Sequence, residues 1–216
     1  MGSGSVILYA LLAGVLAACG GASATPAATA TPPSTSPTPT PLPVVPFSGV
    51  VPAGTYAWTS FEPKLTLVIP DGWQVGHRGN DYFDLFPVDA SGGGPGVGFG
   101  RFAGVYGAGG PVPLASAAGV VDTLAGNPAL DVERLGATEL LGLHGQGVRI
   151  SVDAPATRLF DEAQAPFQFD PGWTAQCWIL DVDGAVLVVG VFGKTPDAAA
   201  DLAGAQPLLD GVSLAR

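Results

Sequence analysis

The chain has 216 residues, 47% of them apolar and 12% charged, with 18 acidic side chains against 8 basic ones and a net charge of −10. Every charged residue lies at or beyond Glu62, so the acidic field belongs to the C-terminal part and excludes nucleic acid and acidic lipid surfaces as partners. About 170 residues follow the leader and its proline-rich continuation, enough for one core that needs neither metal nor disulfide to fold.

Residues 6–18 form an unbroken apolar run. It is shorter than the roughly 20 residues that span a hydrocarbon core, and it matches the apolar region of a signal peptide. The run closes on Leu16-Ala17-Ala18-Cys19, which resembles the lipobox of bacterial lipoproteins. That resemblance implies cleavage between Ala18 and Cys19 and a diacylglycerol on the Cys19 sulfur. The usual basic start is missing, since residues 1–5 carry only the amino terminus, and Val6 rules out the myristoylation pattern.

Residues 19–46 are rich in Pro, Thr, Ala and Ser. With no hydrophobic period to bury, this stretch is expected to be a disordered tether, reaching roughly 80 Å if extended like polyproline. The domain plan is therefore signal peptide 1–18, tether 19–46 and globular domain 47–216.

Within the domain, residues 54–58 and 64–69 read as strands, and Pro70-Asp71-Gly72 turns the chain into a third beginning at Trp73. Residues 81–87 make another strand. The glycine cluster at 91–96 contains no phosphate-binding motif and reads as a flexible connection into a strand over 97–105. Ala117, Val120, Val121 and Leu124 recur at helical spacing, closed by Gly126-Asn127. Strands follow near 131–141 and 146–153, with residues 142–145 as their turn.

Residues 154–173 are the least regular part and read as a long loop carrying Arg158, Phe160, Phe167, Phe169 and Trp173. A hairpin over 176–182 and 185–192 turns at Asp183-Gly184. Thr195-Pro196-Asp197 opens a helix that reaches about Asp210, and residues 212–215 add a last strand.

Several of these pieces occur together: Ile69-Pro70-Asp71-Gly72-Trp73, Leu130-Asp131-Val132 leading to Gly142-Leu143-His144-Gly145, Asp181-Val182-Asp183-Gly184, and the closing helix. In that combination, residues 54–216 resemble exported bacterial domains of the PsbP-like fold. The resemblance implies an α+β domain: one antiparallel sheet of about six to eight strands with two helices packed on it. It rests on turns and core positions and carries over no catalytic residue.

Catalytic signatures are sparse. No G-x-S-x-G elbow is present. Asp181 and Asp183 sit in a hairpin turn, because Gly184 comes too early for an EF-hand loop and Phe192 stands where its glutamate belongs. His77, Asp81 and Asp84 are close in sequence but match no zinc spacing. Cys177, flanked by apolar residues, reads as a small core residue; nucleophilic use would need His77 or His144 beside it. The expectation is a non-enzymatic protein without metal or cofactor.

That leaves the aromatic set as the candidate groove for an apolar or sugar-like ligand, with Arg158 fixing its orientation. The chain thus reads as a domain displayed on the extracytoplasmic face, held to the membrane through Cys19, and binding a small ligand or an envelope protein. An assembly scaffold and a hydrolase are the alternatives.

Overall fold

A computed structural model describes residues 40–60, 62–90, 94–161, 167–194 and 197–215. The leader, the lipobox and most of the tether fall outside these residues. Contacts define Thr40–Arg216 as one unit.

The strands are short at the start: β1 (Gly49–Val51), β2 (Gly54–Trp58), β3 (Leu65–Ile69), β4 (Trp73–Arg78), β5 (Tyr82–Pro87) and β6 (Gly96–Gly100). Next come β7 (Gly104–Gly107), β8 (Gly110–Pro113) and helix α1 (Ala117–Ala125). Two long strands follow, β9 (Leu130–Leu140) and β10 (Leu143–Val152), and then two short ones, β11 (Thr157–Asp161) and β12 (Phe167–Phe169). The chain finishes with β13 (Thr174–Val182), β14 (Ala185–Gly193), helix α2 (Ala198–Asp210) and β15 (Val212–Leu214).

Eight strands make the main sheet in the order β1-β4-β5-β6-β14-β13-β10-β9, antiparallel throughout. Strand β14 lies inside it, and its near-continuous apolar sequence is what burial on both faces requires. Leu187, Val189 and Val191 point into one core with β3 and α2. Val186, Val188 and Phe192 point into a second core with α1, β7, β11 and β12.

The expected single sheet of six to eight strands with two helices is therefore too simple. The described residues hold 15 strands in three sheets. The cause is coverage: helices of 9 and 13 residues are too small to cover both faces of eight strands. The sheets β15-β3-β2 and β12-β11-β7-β8 complete the two outer layers.

Turn chemistry sets the hairpins. Asp183 and Gly184 both have positive φ, at 45° and 79°, the twist a two-residue hairpin turn needs. Leu141 and Gly142, at 59° and 73°, do the same between β9 and β10, so this turn is two residues long and lies ahead of the expected 142–145 position. The strand expected over 97–105 is two strands, since the chain leaves the main sheet after Gly100 and enters the four-stranded one at Gly104. β8 carries Pro111 and Pro113 and lies at a sheet edge, where a missing N–H is tolerated.

Ser116 caps α1 by accepting from the Gly119 N–H, and Asp181 accepts from the Ala117 N–H at 2.8 Å. The α2 cap is Asp197 rather than Thr195, which lies outside the described residues; its carboxylate accepts from the Ala199 and Ala200 N–H groups. Asp197→Ala is expected to lower stability by about 1 kcal/mol in a thermal melt. No helix among the described residues is long and apolar enough to cross a membrane.

Candidate functional site

The site begins with an alternation in β6. Val97 and Phe99 enter the first core, so Gly96, Gly98 and Gly100 face the second. Gly98 is paired with Gly190 of β14 on one side and with Asp84 of β5 on the other. A Cβ at Gly98 would stand 2.6 Å from the Tyr82 hydroxyl oxygen, and one at Gly96 would stand 2.5 Å from the Phe86 ring. These glycines leave bare backbone on which aromatic rings lie.

The rings come from four strands and the connections beside them. Phe102 stacks on Phe160 at 4.5 Å and 12°, and Phe169 stacks on Trp173 at 5.3 Å and 12°. Phe167 bridges the two pairs, 4.8 Å from Tyr82 and 5.2 Å from Phe169, while Phe192 closes the side at 5.7 Å from Phe169. Contacts of this geometry add about 0.5–1.5 kcal/mol each beyond area burial.

The structure thus gathers Phe160, Phe167, Phe169 and Trp173 as the sequence pattern suggested. The segment carrying them is not an open loop, because β11 and β12 pair and Asp170-Pro171-Gly172 turns back into β13. Phe160 and Phe169 are buried; Phe167 and Trp173 are half-buried.

Arg158 is placed differently. It pairs with Gln168 on the outward face of the hairpin, and its guanidinium lies 5.6 Å over the Tyr106 ring. It therefore faces away from the rings it was expected to serve. Tyr82, Phe102 and Phe192 were not foreseen as partners, although the Gly-x-Gly-x-Gly alternation of β6 was the available signal for a face needing large neighbours.

Between the rings and the glycine floor lies an apolar cavity of about 20 Å³. Cys177 lines it, and burial pushes its thiol up to about 12. A thiol so hard to ionise is no nucleophile near neutral pH, and neither His77 nor His144 lines the cavity.

At the edge of the same face, Asp84 is 6% exposed. Its carboxylate accepts from the Tyr82 hydroxyl at 3.0 Å and from the His77 backbone N–H at 2.5 Å. Burial raises its pKa from 3.8 to about 6, against the opposing pull of those two hydrogen bonds and of the His77 charge. Asp81, three residues away, lines a different space, and among the described residues no three His, Cys, Asp or Glu side chains converge as metal ligands.

That different space is an open cleft of about 490 Å³ walled by Thr59, Ser60, Glu62, Asp81 and Arg101, with Phe102 beside them. Arg101 is fixed twice: its backbone N–H donates to the Asp81 carbonyl at 2.6 Å, and its guanidinium donates to the Glu62 carbonyl at 2.5 Å. Phe102 borders both spaces. A second open cleft, of about 380 Å³, has Asp131 and Asp153 in its wall and no aromatic residue.

No known family model and no curated protein matches the chain. Among solved structures, a Bacteroides thetaiotaomicron protein crystallised at 1.50 Å resolution is similar at 12% identity and a TM-score of 0.37. The match covers 70% of this chain and 45% of that one, so the chain spans under half the length of that protein.

Proposed function

We propose that the chain is a lipid-anchored domain on the extracytoplasmic face of a bacterial membrane that binds a small ligand at the ring cluster and its adjoining cleft. One observation carries the binding reading: an apolar cavity and a polar cleft share Phe102 as a lining residue. Ligand sites combine this way, with apolar walls supplying affinity and a few polar groups supplying orientation. The site includes no assigned catalytic residue. Anchoring rests on the lipobox and tether in the sequence, and kinship with PsbP-like exported domains rests on the turn motifs.

A scaffold role is the second reading. It is favoured by Leu42, Val44, Phe47 and Val50, which leave apolar side chains exposed within nine residues of one another; Phe47 is 74% exposed.

Cys19→Ala is expected to leave the protein unlipidated and to move it from the membrane fraction to the soluble one. Membrane-bound protein with an intact, unmodified leader, seen by mass spectrometry, would sink the anchoring reading. For binding, the full-length protein is incubated with membrane extract and recovered, and the small molecules retained are identified by mass spectrometry. Recovery of proteins alone, in fixed proportion, would favour the scaffold.

A further inference from the structure

Resting on the anchoring reading above, the geometry points to a bilayer-docking surface. The outer face of the β15-β3-β2 sheet, with the apolar strip that precedes β2, lies against a zwitterionic lipid layer.

The face follows from strand alternation. Leu65, Leu67 and Ile69 of β3 enter the first core, so Thr66 and Val68 point outward. Val68 is 50% exposed and pairs with Thr55, while Thr66 lies between Ala57 and Ser213. None of these five residues is charged, in a chain with 18 acidic side chains. The strip continues that character: residues 40–60 hold no charge, and Phe47 and Val50 are 74% and 61% exposed. Apolar side chains presented this way sink to the boundary between headgroups and acyl chains.

The route of the chain selects the occupant. The Ala57 N–H donates to the Pro43 carbonyl at 2.8 Å, and the Val45 N–H donates to the Ala57 carbonyl at 3.2 Å. The chain therefore enters the domain along the β2 edge, beside the bare face. Only residues 20–39 separate that entry from Cys19, the residue the anchoring reading acylates. A short linker gives the face an effective concentration at its own membrane of about the millimolar range, so a weak contact is populated.

The border carries both signs. Lys64 pairs with Glu62 at 3.5 Å, and the Arg78 guanidinium lies 5.8 Å over the Phe47 ring. Asp71 stands in the turn after β3, and Asp210 ends α2. Zwitterionic headgroups offer partners to both kinds, whereas the −10 of the chain repels an anionic layer and a second copy alike. The β12-β11-β7-β8 sheet covers the opposite side of the main sheet, so docking turns the ring cluster away from the membrane.

The test uses the lipidated protein recovered from membranes and reconstituted into phosphatidylcholine vesicles with brominated acyl chains, which quench tryptophan on contact. Phe47→Trp places an indole in the strip, and Val112→Trp places one on β8 of the opposite layer, at a position 44% exposed. With the parent emission subtracted, brominated lipid is expected to remove most of the signal added by Phe47→Trp and to leave that added by Val112→Trp. Adding Val50→Asp and Val68→Asp to Phe47→Trp is expected to weaken docking by at least about tenfold and restore the signal.

Equal quenching at the two positions, quenching at neither, or quenching that survives the two aspartates in a variant with an unchanged melting profile would overturn the docking face. In each case the lipidated protein still sediments with the vesicles, so the anchoring reading stands. Crosslinks between chains through Phe47, without quenching there, would assign the face to a second copy instead. Protein left in the supernatant with an unmodified Cys19 would overturn the anchoring reading, and the docking face with it.

Discussion

Asp84→Asn is expected to raise the stability of the domain at pH 8 by about 3 kcal/mol while changing it little at pH 4. In the folded chain burial lifts the Asp84 carboxyl to about 6, whereas the unfolded chain titrates at the ordinary 3.8. A carboxyl raised in the folded state prefers to be neutral there. Its contribution to stability is fully present below pH 3.8 and is lost as pH rises through about 6.

The lifting of about two units, at about 1.4 kcal/mol each, sets the size of the effect. Asparagine stays neutral at every pH. It keeps an oxygen for the His77 N–H and a polar contact for the Tyr82 hydroxyl, the two partners of the native carboxylate. Urea denaturation at pH 4, 6 and 8 checks this, because the other carboxylates are common to both proteins and cancel in the difference. Parallel pH profiles for the two proteins would show that Asp84 is not desolvated. The same result bears on the site, since Tyr82 links this carboxylate to the ring cluster.

How much of this was legible in the sequence depends on the range over which each signal acts. Hairpin turns and helix ends are local, and Asp183-Gly184, Pro70-Asp71-Gly72, Gly126 and Asp210 were placed from a few residues each. Strand number and layering are not local. Nothing within Gly110-Pro111-Val112-Pro113 marks it as a strand, because its pairing with β7 arises only when that strand is already in position. The pairing of β11 with β12 was missed for a similar reason: bulky residues spaced irregularly through 154–173 hide the strand period, and the register itself shifts between Arg158 and Phe160.

The aromatic cluster shows the same division. Its members from 160–173 stood out because four large rings occur in fourteen residues. Tyr82, Phe102 and Phe192 were read as ordinary strand positions, and only the sheet order brings them to the same face. Arg158 was assigned by proximity in sequence, yet in a strand its neighbour Leu159 faces the core and Arg158 faces out. Asp84 stood out in the sequence only beside His77 and Asp81, a set with no metal spacing; its burial comes from its place opposite Gly98 inside the main sheet, beside the Tyr82 ring whose hydroxyl donates to it.

Phe160→Ala should distinguish a packed ring cluster from a loose one. The ring is 2% exposed, stacks on Phe102 at 4.5 Å, and its residue pairs with Val105 and Phe167 across the strands on either side. Removing it forfeits transfer free energy and leaves a hole that this framework closes only partly, for a loss of about 3–5 kcal/mol. In a domain of this size that lowers the melting temperature by on the order of 10 °C. The hole opens into the apolar cavity that Phe160 already lines, so the two spaces merge.

An enlarged apolar cavity stays dry and takes up small apolar molecules. Benzene is therefore expected to recover part of the lost melting temperature in the variant, and to act more strongly there than on the parent protein. A loss below about 1 kcal/mol would mean that the rings rearrange freely and that the sheet face is not packed as the structure has it. A large loss without benzene rescue would mean that the neighbouring rings collapse into the vacancy.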